Sequence, residues 1–345
     1  MNVLHLIFSM RVGGTQTMLI DIMNQQSTMI KVGLMIVNDD VEDSLLKGIS
    51  NSVNVYKLGR KPGSRSVLPI IRLNLYILKN KYDVLHCHNH DLIGLLSPSF
   101  HKKTFLTLHD VNIESRFFKK YKKLFAISYA VRDDLKKRTG LESKIIFNGI
   151  NFDLITQRVK NKNGIFRIVQ VSRLESNKKG QRIAIEAMGL LRNQGILNVT
   201  LDFIGIGSSY EELKEQVMGS NLETIVSFLG LKDREYIYKH LQSYDLLIQP
   251  SFYEGFGLTV VEAMAAKVPV LVSDIDGPIQ IIENGEYGFH FKCGDAKELS
   301  AGIESVMKME LSQLTDKISG GYIYAKKNFS IYKTTLSYVE EYQQR

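Results

Sequence analysis

The stretch QPSFYEGFGLTVVEAMAAKVPVLVSDIDG, Gln249 to Gly277, decides the fold. It reads as the end of a strand, a turn containing Gly255 and Gly257, a helix, a short loop and a second strand. Leu258, Val261, Glu262 and Ala265 recur at helical spacing. Val268 to Val272 is apolar and β-branched, as a strand buried in a parallel sheet should be. The turn carries the chemistry. Its glycines let the backbone approach a ligand, and the helix behind them aims unpaired N–H groups at the same place, a favourable seat for phosphate. Glu254 lies in the turn and Glu262 about two helical turns further on, so both carboxylates can face one ligand. An anion seat flanked by acids suits a ligand with both phosphate and hydroxyl groups, such as a nucleotide sugar.

The same alternation of strand and helix runs outward in both directions. Strands are expected at Val3–Phe8, Val32–Val37, Val53–Tyr56, Val84–His86, Thr104–Leu108, Leu124–Ile127 and Lys144–Phe147. Helices are expected after Gly13-Gly14, over Val67–Leu78, and from Tyr129 behind a Ser128 cap. The polar run ITQRVKNKNG (155–164) reads as a linker, after which the pattern restarts. Further strands follow at Phe166–Val171, Val199–Ile204, Ile225–Leu229 and Leu246–Ile248, with terminal helices at Ala296–Met309 and Tyr322–Tyr342. This order predicts an α/β chain of two Rossmann-like, doubly wound parallel sheets facing a central cleft, with ligands at the carboxyl ends of the strands. The expected domains are 1–155 for the acceptor and 156–320 for the nucleotide sugar, with a helix in 321–345 packing back on the first.

Composition narrows the class. At 345 residues, 44% hydrophobic and 23% charged, the chain is an ordinary globular protein with room for two cores. MNVLHLIFSM has neither the basic region nor the cleavage site of a signal peptide and reads as a first strand. No apolar run reaches the roughly 18 residues a membrane span needs, so a cytoplasmic location is expected, with peripheral contact at the inner membrane face. Cys87 and Cys293 stand far apart and read as small buried hydrophobes in a reducing compartment.

The net charge of +8 is uneven: residues 1–160 hold 24 Lys/Arg against 13 Asp/Glu, residues 161–345 hold 20 against 23. The first half is therefore expected to meet something anionic. In RFFKKYKKLF (116–125), Arg116, Lys119, Lys120, Lys122 and Lys123 interleave with Phe117, Phe118 and Tyr121. As a short helix this run would suit an anionic lipid surface or acceptor. Arg60, Lys61, Arg65 and Arg72 surround another apolar run in 60–72. No nucleic-acid recognition motif accompanies the charge, so nucleic acid is not an expected partner.

Arg173 and Lys179, six apart in VSRLESNKKG (171–180), stand at a strand end where an arginine fork and a lysine point charge can grip a diphosphate; Lys178 is the weaker candidate. Gly205-Ile206-Gly207-Ser208 is another phosphate-compatible turn, but it lacks the third glycine of a dinucleotide fingerprint and lies deep in the chain, against a dehydrogenase. Gly13-Gly14 after the first strand reads equally as ligand approach or as a tight turn. His109-Asp110 ends a strand where substrate contact is expected. In HCHNH (86–90) no carboxylate completes a metal set, and a strand turns Cys87 away from His86 and His88. Asp274-Ile275-Asp276 beside Gly277-Pro278 reads as a turn. No metal and no cofactor are expected.

Taken in order, Gly13-Gly14, TLHD (107–110), NGI (148–150), VSRLESNKKG (171–180), IGIGS (204–208), FLG (228–230) and PSFYEGFGLTVVEAMA (250–265) resemble glycosyltransferase family 4, retaining enzymes of the GT-B fold. The resemblance implies that Arg173 and Lys179 hold the donor diphosphate, that Glu254 contacts donor sugar hydroxyls and that Glu262 contacts the ribose. It implies that the amides of Gly255, Phe256, Gly257 and Leu258, with Thr259 beside them, meet phosphate and sugar. Gly13, Gly14, Gly205 and Gly207 would line the donor, and His109 would lie near the reacting sugar. The chain departs from the family after the last core strand, where Asp276-Gly277 and Gln280 replace a Gly-Gly pair with a later Glu. The expected activity is retaining transfer from a nucleotide sugar, with UDP the base-rate donor, to a glycan or lipid-linked acceptor in bacterial surface polysaccharide assembly. A sugar-nucleotide epimerase and a non-catalytic nucleotide-sugar-binding module are the rival readings.

Overall fold

The structure, a computed structural model, describes residues 1–11, 13–158 and 164–344. Among the described residues thirteen strands fall into two sheets. The first sheet contains β1 (Asn2–Ile7), β2 (Lys31–Asn38), β3 (Val53–Arg60), β4 (Val84–Cys87), β5 (Thr104–Leu108), β6 (Lys123–Ala126) and β7 (Lys144–Ile145). Its order is β3-β2-β1-β4-β5-β6-β7, all parallel. The second contains β8 (Phe166–Val171), β9 (Val199–Ile204), β10 (Val226–Phe228), β11 (Leu246–Gln249), β12 (Val270–Ser273) and β13 (Phe289–Phe291), in the order β10-β9-β8-β11-β12-β13, again all parallel. Both are doubly wound. The strand order reverses between β1 and β4 in one sheet and between β8 and β11 in the other, the places where such sheets present ligand sites.

The strands form where the apolar runs are continuous, because a parallel sheet is covered on both faces and its central strands leave no polar side. Helices cover them with one apolar stripe each. In the helix Gln181–Asn193, Ala184, Ile185, Met188 and Leu191 are buried against Ile168, Leu201 and Phe203 of the sheet. Side chains close the helix starts: Ser128 Oγ accepts from Val131 N, Asp233 from Tyr236 N, and Asp295 from both Lys297 N and Glu298 N.

Two compact units result, Met1–Ile150 together with the chain from Phe329 onward, and Asn151–Asn328. The unit change thus falls after Ile150 instead of after 155, and half of the expected linker, 159–163, lies outside the described residues. The single terminal helix expected from Tyr322 is two helices, Leu311–Phe329 and Ile331–Gln343. Ser330 separates them: its backbone leaves the helical region and its hydroxyl caps the second helix at Lys333 N. Only that second helix belongs to the first unit, where Ile331, Tyr338 and Tyr342 join Val84, Phe105 and Phe125 in the core.

The basic run is also corrected. Residues 116–123 do not form an amphipathic helix. They make a turn, a single 3-10 turn at Phe118–Lys120, and the start of β6 at Lys123. Phe118 and Tyr121 point into the core, so the aromatic half of the expected lipid-facing surface is structural. Cys87 and Cys293 are both free, one in each unit.

Candidate functional site

At the switch point of the second sheet, the chain leaving β8 carries Ser172 and Arg173, and the chain leaving β11 carries the turn to Glu254. The two loops are locked together by contacts that exclude side chains. Gly180 takes φ +68, and a Cβ there would stand 1.8 Å from the carbonyl oxygen of Pro250. Gly205, after β9, takes φ +139, and its Cβ would stand 2.0 Å from the carbonyl oxygen of Ser172. A Cβ on Gly207 would stand 2.3 Å from the oxygen of Leu174. Gly205 and Gly207 therefore serve backbone-to-backbone packing of the β8 and β9 loops. Phe252 N donates to the Lys178 carbonyl at 2.9 Å, tying the β11 turn to the short helix Ser176–Lys179.

This packing brings Lys179 and Glu254 together. Lys179 Nζ donates to Glu254 Oε2 at 2.6 Å, with the side chains 15% and 19% exposed, so the pair is largely withdrawn from water yet reachable. Gln249 Nε2 donates to the same carboxylate oxygen at 2.9 Å, and Thr259 Oγ1 donates to Gln249 Oε1 at 3.2 Å. Lys179, Glu254, Gln249 and Thr259 form one chain of contacts across two strands' ends. Two further amides fix its base: Gln170 Nε2 donates to the Lys179 carbonyl at 2.8 Å, and Gln181 Nε2 to the Arg173 carbonyl at 2.7 Å.

Arg173 is different. Its guanidinium is 71% exposed and lies 3.7 Å from Glu175, a loose surface pair. An exposed arginine fork therefore shares its loop with the half-buried, pre-oriented lysine of the Lys179–Glu254 pair. Gly257, at φ +111, opens the helix Leu258–Ala265 with no side-chain cap, leaving its first amides to the loop or to a ligand. Gly255 and Phe256 are buried in that turn, and Leu258, Thr259 and Glu262 are half-buried along the helix start. Gly277, at φ +93, packs its Cα against the carbonyl oxygens of Glu254 and Phe256, so the Asp274–Gly277 turn buttresses this loop from behind. The sequence did not single out Gln249, Gln170 or Gln181. All three are buried amides at the ends of apolar strands or at a helix start. A polar residue closing the run Leu246-Leu247-Ile248 was the available signal.

In the first unit, His109 follows β5, and it is the end of a relay. Gln26 Oε1 meets His5 Nε2 at 2.7 Å, His5 Nδ1 meets His88 Nε2 at 3.0 Å, and His88 Nδ1 meets His109 Nε2 at 3.2 Å. His86 bonds Thr107 Oγ1 at 2.7 Å and the Tyr342 hydroxyl at 2.5 Å. Burial holds His5 and His109 down to about 4, with Asp110 opposing the shift at His109, and pushes His86 and His88 well below their usual range. All four are neutral imidazoles near pH 7. The ring nitrogens of His5, His86 and His88 converge within 4.8 Å, but all six are already engaged in these hydrogen bonds. His5, hidden in the apolar run of β1 and paired in register with His86, is the member of this cluster that the sequence reading missed. Gly13, at the start of the helix Gly14–Gln26, is extended at φ −178, a conformation open to any residue; a Cβ there would meet only the flexible Gln16 amide.

Of the basic run, Arg116, Lys119, Lys120 and Lys122 are exposed. Lys123 pairs with the buried Glu341 of the last helix, and Arg116 and Lys120 stand over the Phe117 ring. Lys119, Lys122, Lys123 and Lys144 rim a depression of about 520 Å³. Among the described residues no helix is long and apolar enough to cross a membrane.

Comparison with known proteins agrees with this layout. The family model for Glycosyl transferases group 1 matches residues 152–320, and that for Glycosyltransferase Family 4 matches residues 12–154. An uncharacterized glycosyltransferase of Methanocaldococcus jannaschii is 25% identical over 76% of this chain and 72% of its own length. The phosphatidyl-myo-inositol mannosyltransferase of Mycobacterium leprae is 23% identical over 78% of this chain and 76% of its own. Among solved structures, Anabaena HepE in complex with UDP and glucose superposes with a TM-score of 0.80 at 23% identity, covering 100% of both chains. A glycosyltransferase of Rickettsia africae superposes with a TM-score of 0.85 at 20% identity, over 99% of this chain and 98% of that one. The two-sheet architecture is that of GT-B.

Proposed function

The chain belongs to the glycosyltransferases of family 4, the group 1 glycosyl transferases, and we propose that it moves a sugar from a nucleoside diphosphate sugar to a glycan or lipid-linked acceptor with retention of anomeric configuration. The observation that carries this reading is the Lys179–Glu254 pair, held at 2.6 Å beside the exposed Arg173 at the switch point of the second sheet. A lysine, an arginine fork and uncapped helix amides suit a diphosphate leaving group, while a carboxylate oriented by Gln249 suits sugar hydroxyls. Glu262 suits the ribose. UDP is the nucleotide of choice because HepE is captured with it.

In the step itself, the bond between the anomeric carbon and the β-phosphate oxygen breaks and the acceptor hydroxyl bonds that carbon from the same face. The acceptor proton passes to the departing phosphate oxygen, leaving nucleoside diphosphate and glycoside. Arg173 and Lys179 stabilise the charge that develops on the diphosphate, a role that asks for no metal. For His109, a neutral imidazole, we keep the polar role toward the sugar that the family resemblance implies. A lipid-linked acceptor would place the enzyme at the inner face of the membrane, within surface polysaccharide assembly; the relatives include an O-antigen chain mannosyltransferase of Salmonella typhimurium.

The test combines ligand stabilisation with substitution. UDP and UDP-sugars should raise the melting temperature by mass action. Arg173→Ala and Lys179→Ala should each lower turnover by about 10²-fold or more, the scale of losing one preorganised charge contact, while the apo protein stays folded. Chelator should leave turnover unchanged. Near wild-type rates in either variant would remove the assignment of the site. Sugar interconversion without an acceptor would favour an epimerase instead.

A further inference from the structure

The helix Leu68–Asn80 covers the edge of the first sheet beside β3, and it buries only a narrow stripe, Leu73 and Ile77. The opposite face is apolar as well. Leu68, Ile71, Leu75 and Leu78 are 51%, 51%, 58% and 64% exposed, and Val67 just before them is 65% exposed. At 100° per residue the four helical positions fall within an arc of about 80° on the side away from the core. A globular helix normally turns charges outward at such positions. Here the charges border the stripe: Arg72 and Lys79 lie within about 40° of its edge, and Lys61 and Arg65 are exposed in the loop that enters the helix.

The surrounding chain is one-sided in charge. From Ser44 to Tyr82 there is no acidic residue against eight Lys and Arg. Of those eight, Lys57 is paired with Asp43, and Arg60 is tied to Asn38 and Ser64. Among the described residues no ion pair engages Arg65, Arg72 or Lys79. A straight apolar row about 15 Å long, rimmed by lysine and arginine, matches a surface that is apolar within and anionic at its boundary. A second copy of the chain would bring like charges together along the same rim, which opposes self-association. We propose that the outer face of the helix Leu68–Asn80 is a docking surface for an anionic lipid bilayer, with Leu68, Ile71, Leu75 and Leu78 entering the acyl boundary and Arg65, Arg72 and Lys79 meeting headgroups. It replaces the 116–123 run, whose Phe118 and Tyr121 the core has taken, as the lipid-facing element.

The proposal deepens the reading of a lipid-linked acceptor, but lipid binding is measured without any sugar, so the two fail separately. Full-length protein is floated with vesicles of phosphatidylcholine alone or mixed with phosphatidylglycerol, at low and high salt. Wild type should bind the anionic vesicles about tenfold or more tightly, since each basic residue near such a surface is worth about fivefold, and the difference should shrink with salt. Ile71→Ser with Leu75→Ser should lower binding at least about tenfold, and Arg72→Glu with Lys79→Glu should abolish the preference for phosphatidylglycerol. All four positions are outward, so melting temperatures and UDP stabilisation should not move. Equal binding to both vesicle types overturns the proposal. So does binding that survives the Ile71/Leu75 change but is lost in Lys119→Glu with Lys122→Glu. A dimer in solution that Leu75→Ser dissociates would assign the face to a second copy instead.

Discussion

Lys179 and Glu254 meet before any donor arrives, and this alters what each can do. A lysine 15% exposed in an ion pair keeps its position without being fully solvated, so a diphosphate finds it oriented. Glu254 accepts from Gln249 on the same oxygen, leaving its other oxygen to face a hydroxyl. Glu254→Gln should therefore lower turnover by about 10²-fold while UDP binds no more weakly, because Lys179 then answers to phosphate alone. Isothermal titration with UDP beside steady-state rates separates the two effects; a parallel loss of UDP affinity would give Glu254 a purely structural role. The histidines set a different residue-scale expectation. His5 and His109 are held near 4, whereas in the unfolded chain they titrate near 6.5. Between those values the unfolded chain binds more protons, so stability is present above about pH 6.5 and is lost as pH falls toward 4. His5, fully buried, can contribute about 3 kcal/mol to that loss, and the half-buried His109 contributes less. His5 faces His86, His88 and Gln26, none of them acidic. Melting temperature against pH should fall through this window, and His5→Gln should make the fall shallower; equal slopes would contradict the account.

The turns of the second sheet depend on the missing side chains of Gly180 and Gly205. Both combine a left-handed φ with a carbonyl oxygen closer than a Cβ tolerates. Gly140 and Gly195 share the positive φ, at +69 and +82, but have open space around them. Alanine at Gly140 or Gly195 should cost about 1 kcal/mol, the strain of the conformation alone. At Gly180 or Gly205 it should cost about 3 kcal/mol or more, since the backbone itself must move, and it should weaken UDP binding. Equal destabilisation at the four sites, read by denaturant midpoints, would mean the close approach is relieved elsewhere.

These same turns explain how much could be read in advance. Strands such as β1, β8 and β11 carry apolar runs, and the glycine turns follow them directly, so the alternation and the turn-and-helix at Gly255–Ala265 were legible in the sequence. What failed depended on partners distant in sequence. Three-residue β13 is too short for periodicity, and it forms only because β12 offers an edge. Phe118 and Tyr121 share their spacing with a lipid-facing helix, and only their burial tells core from surface. In the helix Leu68–Asn80 apolar residues stand on both sides, so spacing alone does not say which face is buried, and half of them face outward.

At the scale of the whole molecule, every residue proposed to bind the donor, apart from Gly13 and Gly14, lies in one unit, Asn151–Asn328, while the chain's last helix serves the other. Ile331–Gln343 is integral to the first unit's core. Tyr338 packs edge-on against Phe125, Tyr342 bonds His86, Thr334 Oγ1 donates to the Phe147 carbonyl at 2.8 Å, and Glu341 holds Lys123. Truncating a large buried aromatic typically costs about 3–5 kcal/mol, and removing the helix loses two of them at once. A domain's whole margin is about 5–15 kcal/mol, so a chain ending before Ser330 should leave the first unit largely unfolded. The second unit keeps its own sheet, its core around Ile168, Phe203 and Leu271, and the Lys179–Glu254 pair. Hydrogen exchange on the shortened chain should show β1, β4 and β5 losing protection while β8, β11 and β12 retain it. UDP should still raise the melting temperature of what remains folded, by an amount close to that in the full chain. Loss of protection in both sheets together would show that the two units fold as one, and loss of the UDP response with the second sheet intact would place part of the nucleotide site in the first unit.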